Sequence, residues 1–166
     1  MISSSSSSYR YGLYALDHSD NRPHIGGDVV NTVVLIACVG EKRDHRARAE
    51  DLYVSDLFRK SLAYARKIER ADIFILSAKY GLVHRTEEID PYDLTLKNMK
   101  AAQRKAWSEC VFDQLRARTD VESDHFVFLA GVKYRQYLIP RLRSTEVPME
   151  GLGIGDQLHW LGEHLR

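Results

Sequence analysis

Three short apolar runs constrain this chain more than any other feature. Residues 33–37 (VVLIA), 72–77 (DIFILS) and 125–130 (HFVFLA) are rich in β-branched and aromatic side chains. None shows the every-other-residue alternation of a half-exposed strand, so each reads as a strand buried on both faces. Between them the apolar period changes. Val54, Leu57, Phe58, Leu62, Ala65 and Ile68 recur at steps of mostly three and four, the spacing of one helical face. A second helix is expected over 97–118, with Trp107, Cys110, Val111 and Leu115 on one side. A third should open at Gly131 and be shortened or kinked by Pro140. Ile154, Leu158, Leu161 and Leu165 mark the buried stripe of a closing helix. Strands alternating with helices predict an α/β domain, a small and mainly parallel sheet flanked by helices.

With 166 residues there is room for one core. Hydrophobic residues at 44% and charged residues at 28% exclude a disordered chain. A formal charge of +1 excludes a polycation that coats nucleic acid by bulk charge, while leaving room for a local basic face. The longest apolar run, 33–39, is far too short to span a bilayer, so no membrane association is expected. Two isolated cysteines, Cys38 and Cys110, argue against a disulfide framework and for a reducing cytoplasm. The seven histidines show no HxxxH or HExxH spacing, so no metal is predicted, and no cofactor either. Residues 1–28 begin with a serine run and continue through glycines, Asn21 and Pro23. They read as a disordered tail without the basic and apolar regions of a secretory leader, ahead of a single domain over 29–166.

In sheets of this kind ligands bind beyond the carboxyl ends of the strands. That rule selects three segments: 38–48, 77–96 and 131–134. The first carries Cys38, Gly40 and Lys42, which offer an ammonium and backbone N–H groups to an anion, or else form a solvated charged loop. Cys38 is a conceivable nucleophile, but at a strand end it more often serves as a small buried group. The second holds Ser77, Lys79, Tyr80, Gly81, Asp90, Tyr92 and Asp93. A tyrosine can stack on a planar ring and a carboxylate can hold a water or face a developing cation; equally, Asp90 and Asp93 can cap turns. The third places Gly131 at a helix start with Tyr134 one turn later. Two basic runs, within 97–118 and 133–143, begin near the same sheet edge and suggest a phosphate-rich partner. Gly155 and Gln157 lie at the start of the last helix, where Gln157 can read a base edge.

The motif series Cys38-x-x-x-Lys42, Asp51-Leu52-Tyr53-x-Ser55-x-x-Phe58, Leu76-Ser77-Ala78-Lys79-Tyr80-Gly81-Leu82, Pro91-Tyr92-Asp93-x-Thr95-Leu96, Ala130-Gly131-x-x-Tyr134 and Gly151-Leu152-x-Ile154-Gly155-x-Gln157 covers nearly all of the expected core. It resembles a bacterial and phage family of domains of unknown function, distantly similar to the YaaA peroxide-stress DNA-binding proteins. More remotely it is similar to the uracil-DNA glycosylase-like fold. In those glycosylases an Asp-Pro-Tyr turn places the aspartate that serves the cationic sugar and its attacking water. Asp90-Pro91-Tyr92 matches three letters of that turn, with Asp93 standing where the glycosylases have a histidine.

The resemblance implies a domain that binds nucleic acid, DNA first, or a nucleotide, and that hydrolyses or exchanges the N-glycosidic bond of a modified base. Asp93 and Asp90 are then the candidate catalytic carboxylates, Asp93 preferred. Lys79 and Tyr92 would contact the base, and Lys42, Ser55 and Tyr134 the phosphate or sugar. Cys38, Tyr53, Ser77, Tyr80, Gly81, Gly131, Gly155 and Gln157 complete the expected binding set. Two alternatives stand beside this expectation: a non-catalytic DNA-binding stress protein, and a hydrolase of free nucleotides.

Overall fold

The computed structural model describes residues 30–37 and 40–166. The tail expected over 1–28 and the candidate Cys38 lie outside the described residues. The three apolar runs form the strands β1 (Thr32–Ala37), β3 (Asp72–Ser77) and β6 (His125–Leu129). β1 pairs in parallel with β3 on one side and β6 on the other. Val33, Val34 and Leu35 are wholly buried although their side chains point alternately to the two faces, so both faces of β1 are covered.

Two edge strands complete the sheet in the order β4-β3-β1-β6-β7. β4 (Gly81–His84) runs antiparallel to β3, and β7 (Ser144–Glu146) runs parallel to β6. The sheet is therefore mainly parallel, with one antiparallel edge. The apolar signals alone predict one long connection over 78–96 after β3, and the structure corrects this: the segment holds β4, and it holds β5 (Glu88–Ile89), which pairs with β2 (Ala47–Arg48) in a separate two-stranded ribbon. β7 was also not expected. Its sequence, Ser-Thr-Glu, has no apolar signal, and polar contacts help to tie it down. The His125 ring reaches Ser144 Oγ at 2.7 Å and Glu146 Oε1 at 3.1 Å.

The short helix α1 (Ala49–Leu52) leads into α2 (Asp56–Lys67). Ser55 begins α2 by accepting the Phe58 N–H at 3.3 Å, which satisfies one of the donors a helix start leaves open. Phe58, Leu62 and Ala65 then bury one face of α2. Full burial of Phe58 alone is worth roughly 2–3 kcal/mol. α3 is Ala101–Arg118 rather than the expected 97–118. The backbone makes a separate 3-10 turn at Leu96–Asn98 and stays extended at Met99 and Lys100, where the Gln103 side chain accepts the Lys100 N–H at 2.9 Å.

Trp107, Val111 and Leu115 face inward as expected, joined by Ser108 and Phe112, but Cys110 is exposed. At 100° per residue Cys110 trails Trp107 by 60°, away from the Ser108–Phe112 side that defines the buried arc. α4 (Val132–Arg135) is one turn long, followed by a 3-10 turn at Ile139–Arg141 that contains Pro140. The closing helix α5 (Ile154–His164) packs on α2, where Tyr64 and Trp160 meet edge to face with centroids 5.1 Å apart. Leu161 is buried, but Ile154, expected in the stripe, is exposed at the helix start. None of the described helices is long and apolar enough to cross a membrane.

Candidate functional site

The strand order reverses beside β1: the chain passes from β1 outward to β3 and β4, then crosses to β6 and β7 on the other side. Such a reversal opens the crevice where open α/β sheets hold ligands. The residues after β1, β3 and β6 converge on it.

Lys42 is set by the backbone. It forms an isolated antiparallel bridge with Tyr53, and Val54 N–H donates to the Glu41 carbonyl at 2.9 Å. Gly40 makes this approach possible with φ +84°; a Cβ there would lie 2.7 Å from Ser55 Cβ. The Lys42 ammonium then stands over two rings, 4.6 Å from the Tyr92 centroid and 5.6 Å from that of Tyr53. The electron-rich faces hold the charge without neutralising it.

Under the lysine lies a chain of hydroxyls. Tyr53 and Tyr92 oxygens are 2.7 Å apart, and Ser77 Oγ donates to the Tyr92 oxygen at 2.8 Å. Ser77 Oγ also accepts the N–H groups of Lys79, at 3.3 Å, and Tyr80, at 3.0 Å. This is the turn a serine makes when it takes the place of a backbone carbonyl, and it closes the β3–β4 hairpin. Gly81 follows with φ +76°. Gln114 of α3 locks the hairpin by accepting Leu82 N–H at 2.8 Å and donating to the Tyr80 carbonyl at 3.4 Å. The Ser-Ala-Lys-Tyr-Gly-Leu motif thus has a structural task, shaping this hairpin. Tyr80 meets Tyr92 edge to face, and the Lys79 ammonium lies 5.4 Å from the Tyr80 ring.

Trp107 joins this cluster to the other side of the crevice. Its indole N–H donates to the Ser77 carbonyl at 2.9 Å, and its ring meets Tyr134 edge to face at 5.7 Å. Trp107 therefore bridges the ends of β3 and β6, the two strands that flank β1.

The structure brings together Lys42, Tyr53, Ser77, Lys79, Tyr80, Gly81 and Tyr92, with Tyr134 connected through Trp107. Gly131 is the N-cap residue of α4 and faces open space. Ser55 is occupied as the cap of α2, and Tyr134 is buried, so both lie behind the rim. The two aspartates part company. Asp90, at the end of the small ribbon, pairs with Arg46 at 3.3 Å, and both side chains are more than half exposed. Asp93, next to Tyr92, is exposed. Gln157 turns back to donate to the Leu152 carbonyl at 2.8 Å, and Gly155 faces open space in the first turn of α5. Neither makes a contact with the hydroxyl cluster among the described residues.

Sequence reasoning missed Trp107, Gln114 and one further group. Glu50 is a buried carboxylate ringed by Arg66, Arg85 and Arg48. A lone tryptophan on a helix was a usable signal, since a buried indole N–H needs an acceptor. Gln114 and Glu50 carried none, because the β3–β4 hairpin that the first locks, and Arg66 and Arg85, which pair with the second, are distant in sequence. Among the described residues no group of three or more His, Cys, Asp or Glu side chains is placed to hold a metal ion.

Fold and site together define an open-sheet α/β domain with a cationic, aromatic-lined rim at the carboxyl edge of its strands. The chain belongs to DUF6884, a family of unknown function whose model matches residues 33–163. No curated protein and no solved structure matches it significantly.

Proposed function

We propose that the carboxyl rim of the sheet binds a nucleotide, as a unit of nucleic acid or free, and that the protein hydrolyses or exchanges the N-glycosidic bond of a modified base. The observation that carries this reading is the Lys42 ammonium, held over the rings of Tyr92 and Tyr53. Among the described residues neither Lys42 nor Lys79 has a carboxylate partner within ion-pair distance. Two positive charges held against aromatic faces favour a ligand that is both anionic and planar.

Asp93 is the carboxylate for the chemistry, since Asp90 is engaged by Arg46. As the base leaves with the bonding electrons, positive charge develops on the sugar. A carboxylate beside it stabilises that charge and orients the water whose oxygen joins the sugar carbon. The glycosylase-like turn corresponds to Asp90; the choice of Asp93 is supported instead by its place in the Pro91-Tyr92-Asp93-x-Thr95-Leu96 motif of the family resemblance.

The test is release of free base from DNA carrying modified nucleobases, with abasic sites scored in parallel. Asp93→Asn should abolish release while binding persists, and Lys42→Gln should weaken binding. Base release undiminished in Asp93→Asn would remove Asp93 from the chemistry.

A non-catalytic DNA-binding role is the second reading, and the openness of both aspartates favours it. Wild-type binding without any product would select it. Turnover of free nucleotides with only weak, salt-sensitive DNA binding would select the nucleotide hydrolase instead.

A further inference from the structure

The two basic runs of the sequence meet away from the rim. α3 and the segment that follows α4 enclose a cleft of about 330 Å³. Lys105 and Arg141, one from each run, line it together with Tyr137 and Gln136. At its wall is Ser108, only 2% exposed, whose Oγ has no hydrogen-bond partner among the described residues. A buried hydroxyl is nearly always paired, and a helical serine has the carbonyl four residues back within reach. Ser108 instead keeps its Oγ buried and unpaired, in a residue that lines the cleft.

The cations are also uncommitted. Neither Lys105 nor Arg141 has a carboxylate partner within ion-pair distance among the described residues, whereas Arg116, Arg118, Arg135 and Arg143 each have one. The Arg141 guanidinium lies 4.0 Å from the Phe112 ring centroid. A guanidinium held against a ring keeps N–H donors that can also meet an anion. Glu109 also lines the cleft, so two cations face one carboxylate and the lining is net positive. Tyr137 and Pro140 supply flat, largely apolar wall. The cleft combines largely apolar walls with a few polar groups, the make-up common to small-ligand sites.

We infer that this cleft binds a nucleoside monophosphate unit. Its phosphate lies against Lys105 and Arg141, its base against Tyr137 and Pro140, and its polar edge toward Ser108, Gln136 and Glu109. The two segments that line the cleft also carry Trp107 and Tyr134, which tie the rim to the other side of the sheet. Trp107 reaches Ser77 while its neighbour Ser108 faces the cleft, and Tyr134 packs on Trp107 while Tyr137, one turn later, lines it. The ligand class of the cleft agrees with the proposed function, but the cleft rests on its own residues.

The full chain is titrated calorimetrically with nucleoside 5′-monophosphates, the matching nucleosides, inorganic phosphate and a short single-stranded oligonucleotide. Monophosphate or oligonucleotide should bind at least tenfold more tightly than nucleoside or phosphate alone. Lys105→Gln and Arg141→Gln should each weaken that binding roughly tenfold, the effect of one lost charge-assisted contact. Ser108→Ala should also weaken it, severalfold, while leaving the melting temperature equal or higher because an unpaired buried hydroxyl is removed. Binding by free monophosphate identifies a metabolite, and binding by oligonucleotide alone identifies a strand; either, with dependence on Ser108 and Arg141, upholds the cleft. Equal binding of inorganic phosphate, or affinity indifferent to Ser108→Ala, overturns it. The titration is repeated in Lys42→Gln. Cleft binding that persists there while base release is absent from the wild type sinks the proposed function alone; base release without cleft binding sinks the cleft alone.

Discussion

Tyr53 and Tyr92, thirty-nine positions apart, place their hydroxyl oxygens 2.7 Å from each other beneath the Lys42 ammonium. The Tyr92 oxygen is the middle of the chain, since Ser77 donates to it as well. Tyr92→Phe keeps the ring and removes both bonds. It should cost about 1–3 kcal/mol in urea denaturation, the sum of two ordinary net hydrogen-bond contributions. Loss of less than a few tenths of a kcal/mol would mean that the hydroxyl chain is not formed in solution.

Gly81 and Gly151 separate backbone strain from steric crowding. Both have positive φ, +76° and +82°. A Cβ at Gly81 would lie 2.3 Å from Gln114 Oε1, the acceptor of Leu82 N–H, whereas one at Gly151 meets nothing within 4 Å. Gly151→Ala should therefore cost only the left-handed penalty, about 1–2 kcal/mol. Gly81→Ala should cost about 1–2 kcal/mol more, because Gln114 must move and release the hairpin. Chemical denaturation of the two variants gives the comparison directly.

Glu50 is nearly inaccessible, with its side chain 4% exposed, while its arginine partners are 37% to 55% exposed. Removal of the carboxylate and removal of the cations should therefore differ. Glu50→Gln returns charges that already touch water and should cost on the order of 1 kcal/mol. The triple substitution Arg48→Met, Arg66→Met, Arg85→Met strands a buried carboxylate and should cost about 3 kcal/mol or more. Equal losses for the two proteins would show that Glu50 is hydrated in solution.

His84 gives a pH dependence with a definite sign. Burial against Phe74 and the rest of the β3–β4 hairpin, followed by the charge of Arg85, holds its pKa below the usual imidazole value. Its Nδ1 also accepts the Thr86 N–H at 3.3 Å, which only the unprotonated nitrogen can do. The unfolded chain thus binds the proton more readily than the folded one. Stability from this group is complete above about 6.5 and is lost as pH falls from there through the lower folded value. Denaturation midpoints should decline over that window, and the decline should shrink in His84→Gln. An NMR titration placing His84 at or above about 6.5 would contradict the assignment.

The legible parts of this protein were those encoded by local periodicity. Unbroken apolar runs marked β1, β3 and β6 because a strand covered on both faces has no polar alternation to show. Helical spacing marked α2 through Phe58, Leu62 and Ala65. The edge strands were illegible for the converse reason. β7 is Ser-Thr-Glu, and β4 sat within a segment whose glycine and serine read as loop. The start of α3 was misplaced because Lys97 suits a helix by composition, and only the extended backbone at Met99 and Lys100 divides the turn from the helix.

The candidate rim divides along the same line. Lys42, Ser77, Tyr80 and Tyr92 were picked out by position, at the ends of strands where ligands gather. That Ser55 is a helix cap, that Asp90 faces Arg46, and that Trp107 ties Ser77 to Tyr134 depended on partners far along the chain. The amino-acid order alone determined the α/β alternation and the three strands at the centre, because burial leaves its period in the sequence. Only the tertiary structure decided which side chains meet, because a hydrogen bond or ion pair between distant residues leaves no period to read.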